Sequence, residues 1–157
     1  MIQYEKVNGD FDLTGKAAIV VGGAGGIGEA TAQMYARKGA KVAIVDCKDN
    51  CPEVAEKIAA AYGVETIGVR CDVTSQESVD AMMRAVTDAF GEIHILAAMP
   101  GFVDLYSASE IEISTIEKHM AINAVGVFRV CQAAANQMIA QGKGGKIVCV
   151  TSQADFI

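Results

Sequence analysis

Five glycines within seven residues follow a short apolar run near the start of the chain. The run is Ala17–Val21 and the glycine-rich turn is Gly22–Gly28, after which apolar residues resume at helical spacing. Such a pattern indicates a buried parallel strand, a tight turn and a helix. The free N–H groups at the start of a helix, together with the positive end of its dipole, bind phosphate groups. Glycine-rich turns also occur for structural reasons alone, so the turn needs supporting context.

An acidic residue supplies that context. Asp46 ends a second apolar run, Val42–Val45, and lies 18 residues after Gly28. In dinucleotide-binding units an acid about 20 residues beyond the turn accepts hydrogen bonds from the ribose hydroxyls. The same carboxylate repels a 2′-phosphate, so Asp46 predicts NAD rather than NADP. The alternative is that Asp46 only ends the strand as a turn former.

The spacing of the turn assigns a task to each glycine. One glycine makes the turn tight, one lets the backbone approach a pyrophosphate, and one lets the helix pack closely on the strand. These three are Gly22, Gly26 and Gly28, in that order. The predicted cofactor contacts in the turn are Gly22, Gly25, Gly26, Ile27 and Gly28.

The spacing Gly22-x-x-x-Gly26-Ile27-Gly28 resembles that of the short-chain dehydrogenase/reductase family, and the resemblance extends over nearly the whole chain. It implies hydride transfer between NAD and a small-molecule alcohol or ketone, with a polyol or sugar alcohol as a candidate, in a homo-oligomer (a dimer or a tetramer). Phosphate-binding relatives often place an Arg or Lys where this chain has Gly25 and Cys47, and Lys48 is the only nearby cation.

Three later motifs also resemble the family. Asp72-Val73 resembles the acid–apolar pair that contacts adenine. Asn123 resembles the helix asparagine that holds a water of the proton relay, and Ser152 resembles the serine that orients the substrate. Each has a structural alternative: Asp72 as the neighbour of a helix cap at Thr74, Asn123 as an exposed or capping-like amide, and Ser152 as a turn former.

The fourth predicted strand departs from the family pattern. The family usually carries Asn-Asn-Ala-Gly there, whereas this chain has Ala98-Met99-Pro100-Gly101. The change removes two side-chain amides, and Pro100 removes a backbone donor. We expect backbone contacts to the cofactor to persist at Ala98.

The catalytic tyrosine and lysine of the family are absent from the printed sequence. Tyr-x-x-x-Lys should follow Ser152, and the sequence stops at Ile157 without it. Tyr35 and Tyr106 have the wrong spacing. His94 and His119 lack a Ser or Cys partner at triad distance and are expected to be structural or solvent-facing.

We therefore expect these 157 residues alone to be inactive, as the incomplete cofactor-binding half of an NAD-dependent oxidoreductase. The alternative is a non-catalytic dinucleotide-binding or oligomerisation module. A downstream Tyr-x-x-x-Lys in the coding sequence distinguishes the two.

Alternating strands and helices must position these residues. The predicted strands are Ala17–Val21, Val42–Val45, Thr66–Cys71, Ile93–Ala98 and Lys146–Ser152. The last predicted helix is long and extends from Ser114 through Asn123 to about Gln141. Short links favour an α/β fold: a Rossmann-type doubly wound parallel sheet of order 3-2-1-4-5, truncated after strand five. Residues 1–157 then form a single dinucleotide-binding domain, incomplete at its C-terminus.

Composition excludes several classes. The net charge is −6 with no Lys/Arg cluster, which argues against nucleic acid and anionic membranes as partners. No run reaches the length of about 18 apolar residues that spans a membrane, and the N-terminus lacks a signal peptide pattern. Five cysteines without a C-x-x-C pair indicate a reducing, cytoplasmic location. A metal at Cys47 and Cys51 lacks further ligands, so no metal site is predicted.

Overall fold

The computed structural model describes residues 11–152, so residues 1–10 and 153–157 lie outside the described part. The strands are Ala17–Val21 (β1), Lys41–Asp46 (β2), Thr66–Arg70 (β3), Ile95–Ala98 (β4) and Lys146–Cys149 (β5). The helices are Gly26–Arg37 (α1), Cys51–Tyr62 (α2), Gln76–Phe90 (α3), Ile113–Met120 (α4) and Val127–Gln141 (α5). A π-helical turn, Ala121–Gly126, joins α4 to α5.

The strands form one parallel sheet in the order β3-β2-β1-β4-β5, which confirms the predicted fold class and strand order. Val21 at the end of β1 pairs with Val45 of β2 and with Ala98 of β4. The carboxyl ends of these three strands therefore meet at one edge. In doubly wound sheets this edge, at the switch in strand order, is the ligand-binding edge.

Helices cover both faces of the sheet. Successive residues of β1 point to opposite faces and so belong to two different apolar clusters. Ile19 and Val21 belong to the cluster that contains Val79 and Met82 of α3 and Val130 of α5. The second cluster contains Val20 of β1, Ile44 of β2, Ala32 of α1, and Val54 and Ile58 of α2. Burial on both faces explains why β1 is apolar throughout rather than alternating.

The predicted cap at Thr74 is wrong. The N-cap of α3 is Ser75, whose hydroxyl accepts a hydrogen bond from the Ser78 N–H at 3.2 Å. Thr74 instead donates from its N–H and its hydroxyl to Asp72 Oδ1, at 2.9 and 2.7 Å. The Thr74 hydroxyl therefore bonds to the Asp72 carboxylate in an Asx turn and does not cap α3, because Asp side chains readily accept hydrogen bonds from a residue two positions further on.

The helix predicted over 114–141 is continuous in the structure from Ile113 to Gln141, but Ala121–Gly126 within it is a π-helical turn rather than α-helix. Gly126, in that turn, packs against Val73, and a Cβ at this position would lie 2.6 Å from Val73 Cγ2. The close approach belongs to a long-range contact, so local spacing gives no sign of it. None of the helices between residues 11 and 152 is long and apolar enough to cross a membrane.

Candidate functional site

A cleft of about 320 Å³ opens at the carboxyl edge of the sheet, within the usual size range of small-molecule sites. Among its lining residues are five of the predicted cofactor contacts: Gly22, Gly25, Asp46, Asp72 and Val73. The ends of β1, β2 and β3 thus contribute to one cavity. The loop after β4 and the π turn complete it with residues that the sequence did not single out as contacts: Met99, Pro100, Gly101, Phe102 and Ile122.

The glycine turn is fixed to the end of β2. The N–H groups of Gly22 and Gly23 both donate to the Val45 carbonyl, at 2.8 and 2.9 Å. Gly22 has a φ of +84°, a conformation that favours glycine. Gly28 lies against the turn so closely that a Cβ there would be 2.0 Å from the Gly22 carbonyl oxygen. This contact is the close helix–strand packing expected of the third glycine.

Asp46 connects β2 to the same turn. Its Oδ2 accepts a hydrogen bond from the Ala24 N–H at 3.1 Å, and its Oδ1 accepts one from the Lys48 N–H at 3.3 Å. The half-buried carboxylate lines the cleft beside Gly25. The Lys48 ammonium also lies close, since a Cβ on Gly25 would be 3.4 Å from Lys48 Nζ. An acid and a cation therefore share this end of the cleft.

Four predicted contacts lie outside the set that lines the cleft. Gly26, Ile27 and Gly28 form the first turn of α1, where backbone N–H groups have no partner within the helix. Ala98 is fully buried in β4, and its carbonyl accepts a hydrogen bond from the Val150 N–H at 3.0 Å. The sheet occupies Ala98 on both sides, so the wall of the cleft begins one residue later.

Asp72 and Val73 follow the end of β3 and form one wall of the cleft. Hydrogen bonds from Thr74 hold the pKa of the Asp72 carboxyl below its usual range, and the positive charges of Arg129 and Arg70 act in the same direction. Asp72 is therefore a carboxylate at neutral pH. The cap of α3 is Ser75, so Asp72 is not the neighbour of a helix cap at Thr74 but the acceptor of a turn that lines the cleft.

Asn123 lies in the π turn and holds the loop after β4. Its Oδ1 accepts a hydrogen bond from the Phe102 N–H, and its Nδ2 donates to the Phe102 carbonyl, both at 2.8 Å. Both polar ends of the amide are thus bound to the backbone of a residue that lines the cleft. This explains an amide in mid-helix, and it makes Asn123 a residue that positions the cleft wall.

We predict that replacing Asn123 with alanine will lower the free energy of unfolding by about 1–2 kcal/mol, because two exposed hydrogen bonds are lost. Affinity for a ligand of the cleft should fall as well, since Phe102 is released. Urea denaturation and ligand titration measure the two effects. Asn136→Ala, at an exposed position of α5, serves as the control and should match the wild type. Equal stability of the two variants would contradict the assignment.

The two histidines have structural roles in the described residues. His94 Nδ1 accepts a hydrogen bond from the Ala17 N–H at 3.1 Å, at the start of the sheet. His119 Nε2 accepts one from the Asp104 N–H at 3.3 Å, and the ring packs on Phe102 at 5.1 Å between centroids. Both rings thus support backbone near the strand ends.

All five cysteines are free thiols. Burial raises the pKa values of Cys47, Cys51 and Cys71, and burial together with the neighbouring Cys149 thiol raises the pKa of Cys131 to about 12. These four are protonated at neutral pH and are poor nucleophiles and ligands. Between residues 11 and 152, no three His, Cys, Asp or Glu side chains form a group that could hold a metal ion.

Ser152 follows β5 at the same edge of the sheet as the cleft. The Val150 N–H bonds to the Ala98 carbonyl, so the chain leaves β5 alongside the end of β4. Ser152 is exposed there. The structure thus brings the predicted cofactor residues to one edge and leads the serine strand to that edge as well.

Known proteins share this arrangement. The chain matches the family model of the short chain dehydrogenases over residues 16–157. It is 42% identical to the D-threitol dehydrogenase of Mycolicibacterium smegmatis over 98% of its own length and 60% of that protein. It is 35% identical to the NAD-dependent glycerol dehydrogenase of Listeria innocua over 94% of its own length and 57% of that protein.

A crystal structure of a short-chain type dehydrogenase/reductase from Mycobacterium marinum is similar with a TM-score of 0.89 at 35% identity, covering 93% of this chain and 59% of that one. The chain therefore spans a little over half the length of these relatives. With the glycine turn, the parallel sheet and the family match in agreement, this chain belongs to the short-chain dehydrogenase/reductase family.

Proposed function

We propose that this chain binds NAD in the cleft and forms the cofactor-binding half of an oxidoreductase that transfers a hydride between nicotinamide and an alcohol or carbonyl group. The observation that carries the proposal is the hydrogen bond between the Ala24 N–H and Asp46 Oδ2. It joins a phosphate-binding turn and a ribose-binding acid in one cavity. The similar glycerol dehydrogenase of Listeria innocua is named as NAD-dependent, which supports NAD as the cofactor.

The residues at the turn fit a dinucleotide. A Cβ at Gly26 would meet no atom within 4 Å, and one at Gly25 would meet only the Lys48 ammonium, so space above the helix start is open to a pyrophosphate. We assign the pyrophosphate to the amides of Gly25, Gly26, Ile27 and Gly28. Asp46 would then hold the adenosine ribose, and Asp72 and Val73 the adenine. Ala98 would act through its neighbour Met99, since it is itself buried.

The substrate we propose is a polyol, because two relatives carry threitol and glycerol in their names. When bound, nicotinamide supplies the hydride acceptor or donor. Ser152, three residues after β5, would orient the substrate oxygen through its hydroxyl. Asn123 would keep the cleft wall after β4 in place through its bonds to Phe102. Tyr-x-x-x-Lys, which the printed sequence lacks, would supply the proton transfer.

We further propose a homo-oligomer in a reducing, cytoplasmic compartment, with residues 1–157 as a single dinucleotide-binding domain. The π turn and α5 support association, because Val125, Phe128 and Ile139 are 51, 65 and 76% exposed. The free thiols support the compartment.

A second candidate is a dinucleotide-binding module without catalysis. It is favoured by Met99 and Pro100, which line the cleft where the family usually has an asparagine and an alanine. Neither side chain donates a hydrogen bond, and Pro100 has no N–H. Binding and turnover separate the two candidates.

The test is calorimetric titration of the 157-residue chain with NAD and NADP, followed by an absorbance assay with D-threitol and glycerol. We expect NAD to bind at least about tenfold more tightly than NADP, since Asp46 repels a 2′-phosphate. We expect negligible turnover without the Tyr-x-x-x-Lys pair. Failure to bind NAD refutes the proposal, and turnover by these residues alone refutes their inactivity. A full gene product that binds NAD but lacks turnover supports the module.

A further inference from the structure

We propose that Arg129 is a positioning residue for the adenine end of the cleft, acting through the main chain of Val73. The inference rests on the proposed function, in which the cleft holds a dinucleotide. It extends that function to a residue of α5 that lies outside the glycine turn and all of the motifs discussed above.

The Arg129 guanidinium donates a hydrogen bond to the Val73 carbonyl, across 56 positions of sequence. Val73 lines the cleft, and its neighbour Asp72 does so too. A bond from a charged donor is stronger than one between neutral groups, and the planar guanidinium is well suited to hold a carbonyl in place. Arg129 therefore fixes the wall of the cleft from behind.

The surrounding packing leaves this wall little freedom. On the helix side, Gly126 approaches Val73 so closely that a Cβ would lie 2.6 Å from Val73 Cγ2. On the sheet side, the Cys71 N–H donates to the Asp46 carbonyl at 2.8 Å. The segment from Cys71 to Val73 is thus held between β2 and the start of α5.

The charge of Arg129 is placed at a cost. The side chain is partly buried, and no carboxylate lies within ion-pair distance of it among residues 11–152. Removing a charge from water without a counter-charge is unfavourable. Two interactions offset this desolvation cost. The guanidinium bonds to the Val73 carbonyl, and its positive charge near Asp72 helps to keep that carboxylate ionised. An ionised Asp72 is the better acceptor for the exocyclic amine of a purine.

The experiment compares ligands that represent the two halves of the cofactor. Affinities for NAD, ADP-ribose and nicotinamide mononucleotide are measured on the full chain by calorimetry and ligand-observed NMR, for the wild type, Arg129→Met and Arg129→Lys. We expect Arg129→Met to weaken NAD and ADP-ribose by about tenfold or more, because a charge-assisted bond is lost. Nicotinamide mononucleotide should bind as in the wild type. Arg129→Lys, which keeps the charge, should recover part of the loss.

Arg84→Met is the matched control, since it removes the same charge from an exposed position of α3. It should bind all three ligands as the wild type does. Unchanged ADP-ribose affinity in Arg129→Met, or equal losses of ADP-ribose and nicotinamide mononucleotide, would overturn the inference. If Arg129→Met does not fold, Arg129→Lys is compared with the wild type instead. A larger loss of affinity for ADP-ribose than for nicotinamide mononucleotide then supports the inference, and equal losses overturn it. A wild type that binds neither NAD nor ADP-ribose refutes the proposed function instead.

Discussion

Replacing Gly28 with alanine is expected to lower the free energy of unfolding by about 3 kcal/mol or more and to abolish NAD binding. The added Cβ would lie 2.0 Å from the Gly22 carbonyl oxygen and 2.7 Å from its carbon. Both atoms belong to the backbone, so no rotamer change relieves the overlap. Either α1 moves away from the sheet or the turn opens, and each disrupts the proposed pyrophosphate site. Urea denaturation and NAD titration measure both effects.

Gly101→Ala provides the matched control for stability. Gly101 also borders the cleft, but a Cβ there would meet no atom within 4 Å, and its φ lies outside the left-handed region that favours glycine. Its free energy of unfolding should stay within about 0.5 kcal/mol of the wild type. A Gly28→Ala variant as stable as Gly101→Ala, with NAD affinity retained, would show that the turn does not need the close contact.

Replacing Asp46 with asparagine is expected to reduce the preference for NAD over NADP by about tenfold to a hundredfold. In the native chain the Ala24 N–H donates to Asp46 Oδ2 at 3.1 Å. Asparagine keeps an oxygen that can accept this hydrogen bond but removes the negative charge. The nearby Lys48 ammonium then faces a 2′-phosphate without opposition. Asp46→Ala should relax the preference as well, and it should also weaken both cofactors because the Ala24 amide loses its acceptor.

Asp49→Asn removes the same charge three positions along the chain, from an exposed side chain that pairs with Arg70 at 3.2 Å. It should leave the ratio of the two affinities unchanged. Calorimetric titration of each variant with NAD and NADP measures that ratio. Identical ratios for the wild type and both Asp46 variants would remove the case for its ribose role, and with it the predicted choice of cofactor.

At Ala98–Gly101 the chain lacks the two asparagines that the family usually has, and other contacts in the tertiary structure hold this loop. The loop after β4 lacks the family amides, yet it is held by Asn123 through two bonds to Phe102 and by the Lys118 ammonium, 3.8 Å from the centre of the Phe102 ring. Cation–π contacts of this kind contribute about 0.5–1 kcal/mol at exposed sites. The wall of the cleft is therefore supported from α4 and the π turn rather than from within the strand.

The sequence alone determined the fold class, the strand order and the family. Apolar runs of four or five residues such as Ala17–Val21 and Val42–Val45 identify buried parallel strands, because helices cover both faces of the sheet. Short links and right-handed crossovers then leave one natural order, which the structure confirms. The spacing between the glycine turn and Asp46 located two sides of one cleft, lined by Gly22 and Gly25 on one side and Asp46 on the other, since successive parallel strands end at the same edge.

Only the tertiary structure decided how the far wall of the cleft is held. The bonds of Asn123 to Phe102 join residues 21 positions apart, and the bond of Arg129 to Val73 joins residues 56 positions apart. Periodicity and capping patterns report on neighbours within a few residues, so they predicted a cap at Thr74 and gave no sign of the π-helical turn. Contacts between distant segments depend on which side chains the folded sheet brings within reach, and local spacing does not encode that.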